Sequence, residues 1–303
     1  MYFLKLFCST TVWLAFLLLA LVYCASAQGE DFALTAAESQ WLKEHPVIRV
    51  APDPDFPPYE WLSDDGAYHG IGADYISLIE HKLGIKFEII PSASWTEIIE
   101  HLKQKKVDIQ PAFARTRQRQ KYMLFTQPYT SVPGVVVSSR RYPTIEELRG
   151  RQVAVVQGSY WDDGLSNANP DVNVEYVDNT RFGIKSSAMG TVDAMITDLA
   201  SATSEIRKAG ITNLHIVSDP KHNLGRLEHS IAVRNDWPEL QMILDKVLSS
   251  ISQEEHEAIL SNWIKIEEPA FWRDRDFWYS LLAGMAVILL LFASFITWNR
   301  TLK

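Results

Sequence analysis

Between Leu34 and Ile266, runs with strand character alternate with runs of helical spacing, and the alternation starts afresh once, near residue 135. This limits the fold more than any other feature, because repeated βα units build parallel sheets flanked by helices, and a restart means two lobes. In the first series, Thr35 and Glu38 form a capping box ahead of Trp41 and Leu42. A strand follows at 47–51, then a helix at 73–83 carrying Tyr75, Leu78, Ile79 and Leu83 at helical spacing and stopping at Gly84. Next come a strand at 86–90, a helix marked by Trp95, Ile98, Ile99 and Leu102, and a strand at 107–109. The second series opens with Thr144 and Glu147 capping a short helix, a strand at 152–156, and a Gly158-Ser159 turn into a helix. It continues with strands at 174–177 and 193–196, a helix after Thr180, and one that Asp198 opens and Gly210 ends. A late strand at 231–234 precedes a helix started by Pro238 and a last one capped by Ser252 and Glu255.

The two ends of the chain differ in kind. Residues 1–27 carry an early Lys5, an apolar centre from Leu14 to Val22, and the small-x-small pattern Ala25-Ser26-Ala27. This reads as a signal peptide cleaved before Gln28, with an uncleaved anchor as the alternative. Tyr23 is too large for the residue that precedes a lipid-modified cysteine, which argues against lipid attachment at Cys24. Cys8 and Cys24 are the only cysteines, so the mature chain is expected to have no disulfide, thiol nucleophile or cysteine metal site. At the other end, residues 277–298 contain no charged side chain. As a helix they extend about 33 Å, enough to cross a hydrocarbon core of about 30 Å. Trp272, Trp278, Tyr279 and Trp298 stand where interfacial aromatics belong. The expected organisation is an exported domain, a linker at 267–276, a single transmembrane helix at 277–298 and a cytoplasmic tail at 299–303. Ser280 and Gly284 give a small-xxx-small pair suited to packing two spans into a homodimer.

One run needs explaining in a chain of net charge -8: Arg115, Arg117, Arg119 and Lys121, directly before Phe125-Thr126-Gln127-Pro128-Tyr129. It suits a nucleic-acid patch, a solvated edge or a clamp for a small anion. The acidic balance and the exported location disfavour nucleic acid. The eight histidines show no metal-binding spacing, and GxSxG, P-loop and dinucleotide patterns are missing. The expectation is therefore no catalytic residue, no metal and no cofactor.

The stretch VIRVAPDPDFPPYEWLSDDGAYHGIGADYISLI resembles the opening of the family-3 extracellular solute-binding proteins, the Venus-flytrap domains. The likeness continues through KKVDI, the basic run with FTQPY, ELRGRQVAVVQGSY and GTVDAMITD. LTAAESQWLKEHPVIRV, LASATSEIRKAGITNL and SIAVRNDWPEL are similar to the flytrap sensor modules of BvgS- and EvgS-type histidine kinases. The resemblance implies an α/β, two-lobed periplasmic-binding-protein type II fold crossing its hinge twice. Lobe 1 would take 34–133 and 227–266, and lobe 2 134–226, with ligand in the cleft between them.

By the same resemblance, Arg119 occupies the position whose guanidinium pairs with a ligand carboxylate, while Arg115, Arg117 and Lys121 have no such role. The alternative for Arg119 is a structural ion pair. Where amino-acid binders usually place Ser or Thr this chain has Ala114, with Thr116 the nearby hydroxyl. Asp198 matches the ammonium-binding aspartate, or else simply caps its helix. Asp53, Phe56 and Tyr59 match the first cleft loop. Phe56 and Trp95 are candidate aromatic walls, with ordinary core packing as the alternative. Gly158, Ser159 and Tyr160 match the loop whose N–H groups and hydroxyl meet the ligand's anionic end.

The expected function is binding of a small anionic or zwitterionic carboxylate metabolite, by a domain on the periplasmic side of a bacterial inner membrane. Closure would be relayed to the membrane or to a histidine kinase, diguanylate cyclase or transporter permease. A transporter's binding subunit and a periplasmic dehydratase-like enzyme, with Asp53 or Asp198 as its acid, are the alternatives.

Overall fold

Helix α1 (Ala36–Glu44) begins as its sequence dictates. Thr35 Oγ1 accepts from the Glu38 N–H at 3.2 Å and the Glu38 carboxylate accepts from the Thr35 N–H at 2.6 Å, which closes the capping box. This computed structural model describes residues 32–142, 145–168, 171–218 and 224–264, together with 278, 279, 282, 284 and 285. The expected signal peptide, linker and tail, Thr144, and all but five residues of the expected span lie outside the described residues. Among those described, no helix is long and apolar enough to cross a membrane. The chain from Ile264 onward is a unit of its own, in which Trp278, Tyr279, Leu282 and Met285 are helical and exposed.

In the main unit, β1 (Arg49–Val50) leads to a three-stranded antiparallel flap of β2 (Asp55–Phe56), β3 (Glu60–Leu62) and β4 (Tyr68–His69). Helix α2 (Ile71–Leu83) ends at Gly84, whose φ of 67° is the left-handed cap that glycine favours. Then come β5 (Glu88–Ile89), α3 (Trp95–Lys103), β6 (Ile109–Ala114), β7 (Met123–Phe125) and the long β8 (Thr130–Ser138). The second series runs β9 (Gln152–Val156), α4 (Tyr160–Ala168), β10 (Asn173–Val177), α5 (Thr180–Met189), β11 (Ala194–Asp198), α6 (Leu199–Ala209) and β12 (His215–Val217). The nine-residue β13 (Arg226–Arg234) precedes α7 (Pro238–Ser249), which has Pro238 in its first turn, and α8 (Gln253–Trp263).

The strands form one path, β10-β9-β11-β8-β13-β6-β1-β5, with β12 on β8 and β7 on β13. Parallel pairs lie toward both ends, β10-β9-β11 and β6-β1-β5. Antiparallel β8 and β13 join them, pairing His229 with Thr130 and Arg226 with Pro133. Beyond that shared segment β8 turns to β11 and β13 to β6 and β7, so these two strands are the hinge. Each side has its own core: Ile98, Leu102, Phe113 and Phe125 pack on one, and Val135, Ile184, Met195 and Ala202 on the other. Each large apolar side chain buried there contributes about 1.5–3 kcal/mol.

The flap and most of β8 are invisible to pattern reading. The flap strands hold only two or three residues, and Pro133-Gly134 gives the hinge strand the look of a turn. The expected strand at 107–109 is instead β6, displaced past Asp108. That aspartate is held by Arg49 at 2.7 Å and Arg234 at 3.0 Å, and burial leaves no solvent to compete.

Candidate functional site

The two sides close on a cavity of about 60 Å³, space for about four to six waters. One wall comes from the flap and β6, with Asp53, Asp55, Phe56, Ala112 and Ala114. Trp95 opens α3 at the rim. Ser159, Tyr160 and Trp161 come from the turn into α4, Asp178 to Thr180 from the start of α5, and Leu227 and His229 from the hinge.

Arg119 lies in the short 3-10 turn after β6 and is only 4% exposed. Thr116 Oγ1 accepts from the Arg119 N–H at 3.2 Å, so Thr116 shapes this turn and is not part of the cavity wall. The guanidinium donates to the carbonyls of Ala114 at 2.9 Å and Gly158 at 2.8 Å, and lies 4.2 Å from the Phe113 ring centroid. Burial brings its pKa down to about 10, opposed by the charge of Asp163, so it remains a cation at neutral pH. Arg115 and Arg117 are exposed.

The aromatic residues separate. Phe56 packs 4.9 Å from Tyr59 and 5.8 Å from His229, on the cavity wall. Trp95 donates its indole N–H to the Gly158 carbonyl at 3.1 Å and packs edge-on to Phe113. Tyr59 is fully buried behind the wall, where its hydroxyl donates to Asp198 Oδ1 at 2.9 Å. Asp198 also accepts from the Ser201 N–H at 2.9 Å, capping α6. It does not line the cavity, which its neighbours Ile196 and Thr197 reach instead. Among the described residues Asp198 Oδ2 has no hydrogen-bond partner, and burial raises the carboxyl's pKa.

The 157–160 loop uses its N–H groups internally. Gln157 N–H donates to the Val177 carbonyl, Gly158 N–H to Asp162 Oδ2 and Ser159 N–H to the Val156 carbonyl. Ser159 Oγ accepts from the Asp162 N–H at 3.3 Å. In this closed arrangement the loop presents a carbonyl, that of Gly158, to Arg119 and Trp95. Trp161 reaches the cavity because it lies against Gly134 of β8, where any Cβ would stand 2.5 Å from its ring.

The acidic side of the cleft is stacked in depth. Asp53 Oδ1 accepts from the Asp55 N–H at 2.9 Å, and burial pushes its pKa up to about 7. Behind it Glu60 is fully buried, accepts from the Asp53 N–H, the Tyr68 hydroxyl and the Gln110 amide, and is pushed by burial up to about 8. Asp55 instead crosses the cleft to Arg181 of α5, whose Nε stands 3.4 Å from buried Glu205.

His229, on the hinge strand β13, also lines the cavity. Its Nδ1 lies 2.8 Å from the Thr130 hydroxyl and its ring 4.1 Å from that of Tyr59, while Nε2 has no partner among the described residues. Burial, with the charge of Arg119, lowers its pKa to about 3, so it stays neutral. Asp55, Trp161, Asn179 and Thr180 were missed. Asn179, whose side chain caps α5, shows the one usable signal, a capping residue at a helix start. Among the described residues no group of three or more His, Cys, Asp or Glu side chains is placed to hold a metal.

The chain is similar to the virulence sensor protein BvgS of Bordetella pertussis, with 30% identity over 274 residues. That match covers 88% of this chain and 22% of BvgS, so the chain spans about a fifth of the length of this relative. The crystal structure of the BvgS periplasmic VFT2 domain superposes with a TM-score of 0.69 at 30% identity, covering 77% of this chain and 99% of that one. The L-cystine-binding protein TcyJ of Escherichia coli is 21% identical over 219 residues, 70% of this chain and 80% of its own length. A two-lobed type II periplasmic binding fold is thus shared with the BvgS domain. The family model of the bacterial extracellular solute-binding proteins, family 3, matches residues 48–266, and the chain belongs to that family.

Proposed function

We propose that this chain is a membrane-tethered periplasmic receptor that holds a small carboxylate-bearing metabolite, an amino acid or related organic acid, between its lobes. The observation that carries this reading is Arg119: a buried cation at the cavity wall whose hydrogen bonds go to two backbone carbonyls. Two neutral acceptors compensate a desolvated guanidinium less well than a carboxylate does, so an anionic ligand completes what the fold leaves partial. Phe56 and Trp95 enclose the ligand's body. Asp53 and Asp55 supply the acidic counterpart for an amine, a role that the resemblance had given to Asp198. The name of TcyJ, an L-cystine-binding protein, agrees with a ligand of this class.

Relay of closure is favoured over delivery to a permease by the direct bridges across the cleft. Tyr59 to Asp198, Trp95 and Arg119 to Gly158, and Asp55 to Arg181 hold the lobes together through the protein's own groups. A receptor that signals by changing its closure can use such bridges, whereas a carrier must undo them at every turnover. The signal would leave through α8 and the segment beyond it to the span and to a kinase or cyclase in the membrane, as the sensor relatives suggest.

The test is thermal melting of the purified protein against amino acids, dicarboxylates and aromatic carboxylates, with Arg119→Ala in parallel. A ligand at 100 times its Kd adds about 2.7 kcal/mol, a shift of several degrees. Stabilisation of the wild type and not of Arg119→Ala is the expected result. Equal stabilisation of both removes Arg119 from the site, and no stabilisation by any carboxylate removes the reading.

A further inference from the structure

A second concave site lies on the other face of the hinge strand β13. Its volume is about 170 Å³, and it is lined by Ala114, Arg115, Pro128, Tyr160, Arg226, Glu228 and Ser230. The alternation of β13 separates the two sites: Leu227 and His229 face the cleft, while Arg226, Glu228 and Ser230 face this pocket. Only Ala114 and Tyr160 belong to both.

Two guanidinium groups are held in place here by backbone carbonyls and one hydroxyl. Arg115 Nη2 donates to the carbonyls of Thr126 at 3.1 Å and Phe125 at 3.3 Å. Arg226 Nε donates to Ser131 Oγ at 2.8 Å, and its Nη2 donates to the Ser131 carbonyl at 2.7 Å. A guanidinium has five N–H donors, so each keeps further donors for a ligand. Among the described residues neither arginine forms an ion pair within 4.0 Å, and neither does Glu228. The acid that feels the charge of Arg115 is Asp245, which already accepts from the Gln127 N–H at 2.6 Å.

We propose that this hinge pocket is a binding site for an amino-acid-sized zwitterion, with the carboxylate on Arg115 and Arg226 and the ammonium on Glu228. Two anchored cations and one acid complement a molecule bearing both charges better than a plain anion, which Glu228 repels. The site also touches both sides of the hinge, with Arg115 at the end of β6, Arg226 and Glu228 on β13, and Tyr160 at the start of α4. A ligand there therefore senses the angle between the lobes, and by linkage shifts it. This inference does not depend on what the cleft holds.

The test is equilibrium dialysis of labelled glycine, the smallest such zwitterion, and of acetate against the purified full chain. Four variants run beside the wild type: Arg119→Ala in the cleft, Arg115→Ala/Arg226→Ala and Arg115→Lys/Arg226→Lys in the hinge pocket, and Glu228→Gln. Glycine binding that survives Arg119→Ala and weakens about tenfold or more in the double alanine variant is the expected result. Glu228→Gln should weaken glycine and strengthen acetate. Arg115→Lys/Arg226→Lys, which keeps the charges without the forks, should fall between wild type and the alanine pair, separating lost recognition from lost folding. If Arg119→Ala abolishes all glycine binding, the cleft reading stands and the hinge site falls. Binding that survives Arg119→Ala but ignores both arginines, or no glycine binding to any form, overturns the proposal as well.

Discussion

Tyr59 reaches across the cleft to Asp198, its hydroxyl donating to Oδ1 at 2.9 Å, with both residues fully buried. The same carboxylate caps α6 through the Ser201 N–H, so one side chain starts a helix on one lobe and ties it to the flap of the other. Among the described residues Asp198 Oδ2 has no hydrogen-bond partner within ordinary distance, which makes the tyrosine bond the more costly to lose. Tyr59→Phe should lower stability by about 1–3 kcal/mol. Chemical denaturation checks this, and an unchanged midpoint would mean that water or a rotated Asp198 replaces the bond.

Arg181 is the middle of a second bridge, between Asp55 of the flap and Glu205 of α6. Its loss leaves Glu205, 2% exposed, with one buried oxygen that has no partner among the described residues and the other without its ion pair. Arg181→Ala should cost about 1–3 kcal/mol and open the lobes. Small-angle scattering should give a larger radius of gyration than wild type. An unchanged radius would assign the closed state to the other bridges.

Asp53 on the cleft wall and Glu60 behind it predict a dependence on pH. Burial raises Asp53 to about 7 and Glu60 to about 8, whereas the unfolded chain titrates them near 4. The folded state therefore binds protons that the unfolded state releases, and this contribution is complete below about pH 4 and lost as pH rises through 7 and 8. His229 acts in the opposite sense, but only below about pH 6.5, where the unfolded histidine becomes charged. Between pH 6.5 and 8.5 the melting temperature should fall, and Glu60→Gln should flatten the fall. Parallel slopes for the two proteins would show that Glu60 is already ionised at neutral pH.

Gly70 holds the turn that leads from the flap into α2. Its φ is 111°, and a Cβ there would lie 2.4 Å from the Tyr59 carbonyl oxygen. The obstacle is backbone, which cannot rotate aside. Gly70→Ala should cost more than about 2 kcal/mol, from strain and clash together. Gly84→Ala makes the control, since its φ is also positive but nothing stands within 4 Å of its Cβ. Equal losses at the two positions would mean that φ alone sets the cost.

How much of this was legible depended on the range of each interaction. The caps at Thr35, Ser252 and Asp198, the stops at Gly84 and Gly210, and Pro238 in a first turn all involve groups within a few residues of one another. The chain specifies them before it folds. The βα series and the restart that implies two lobes belong to the same class, because hydrophobic periodicity is local too. Arg119 was singled out by its motif, and it does line the cavity.

Tertiary structure decided the partners. That Arg119 spends its hydrogen bonds on the carbonyls of Ala114 and Gly158, and that Asp198 meets Tyr59 and not the cavity, depends on how closely the lobes approach. His229 entered the cleft wall because β13 alternates its side chains across the hinge, and the register against β8 and β6 sets which residues face inward. A shift of one residue would have turned Arg226 and Glu228 into the cleft and His229 away from it. Identity and local spacing are written along the chain; which groups are buried together, and which charges are left for a ligand, are settled only when distant strands pair.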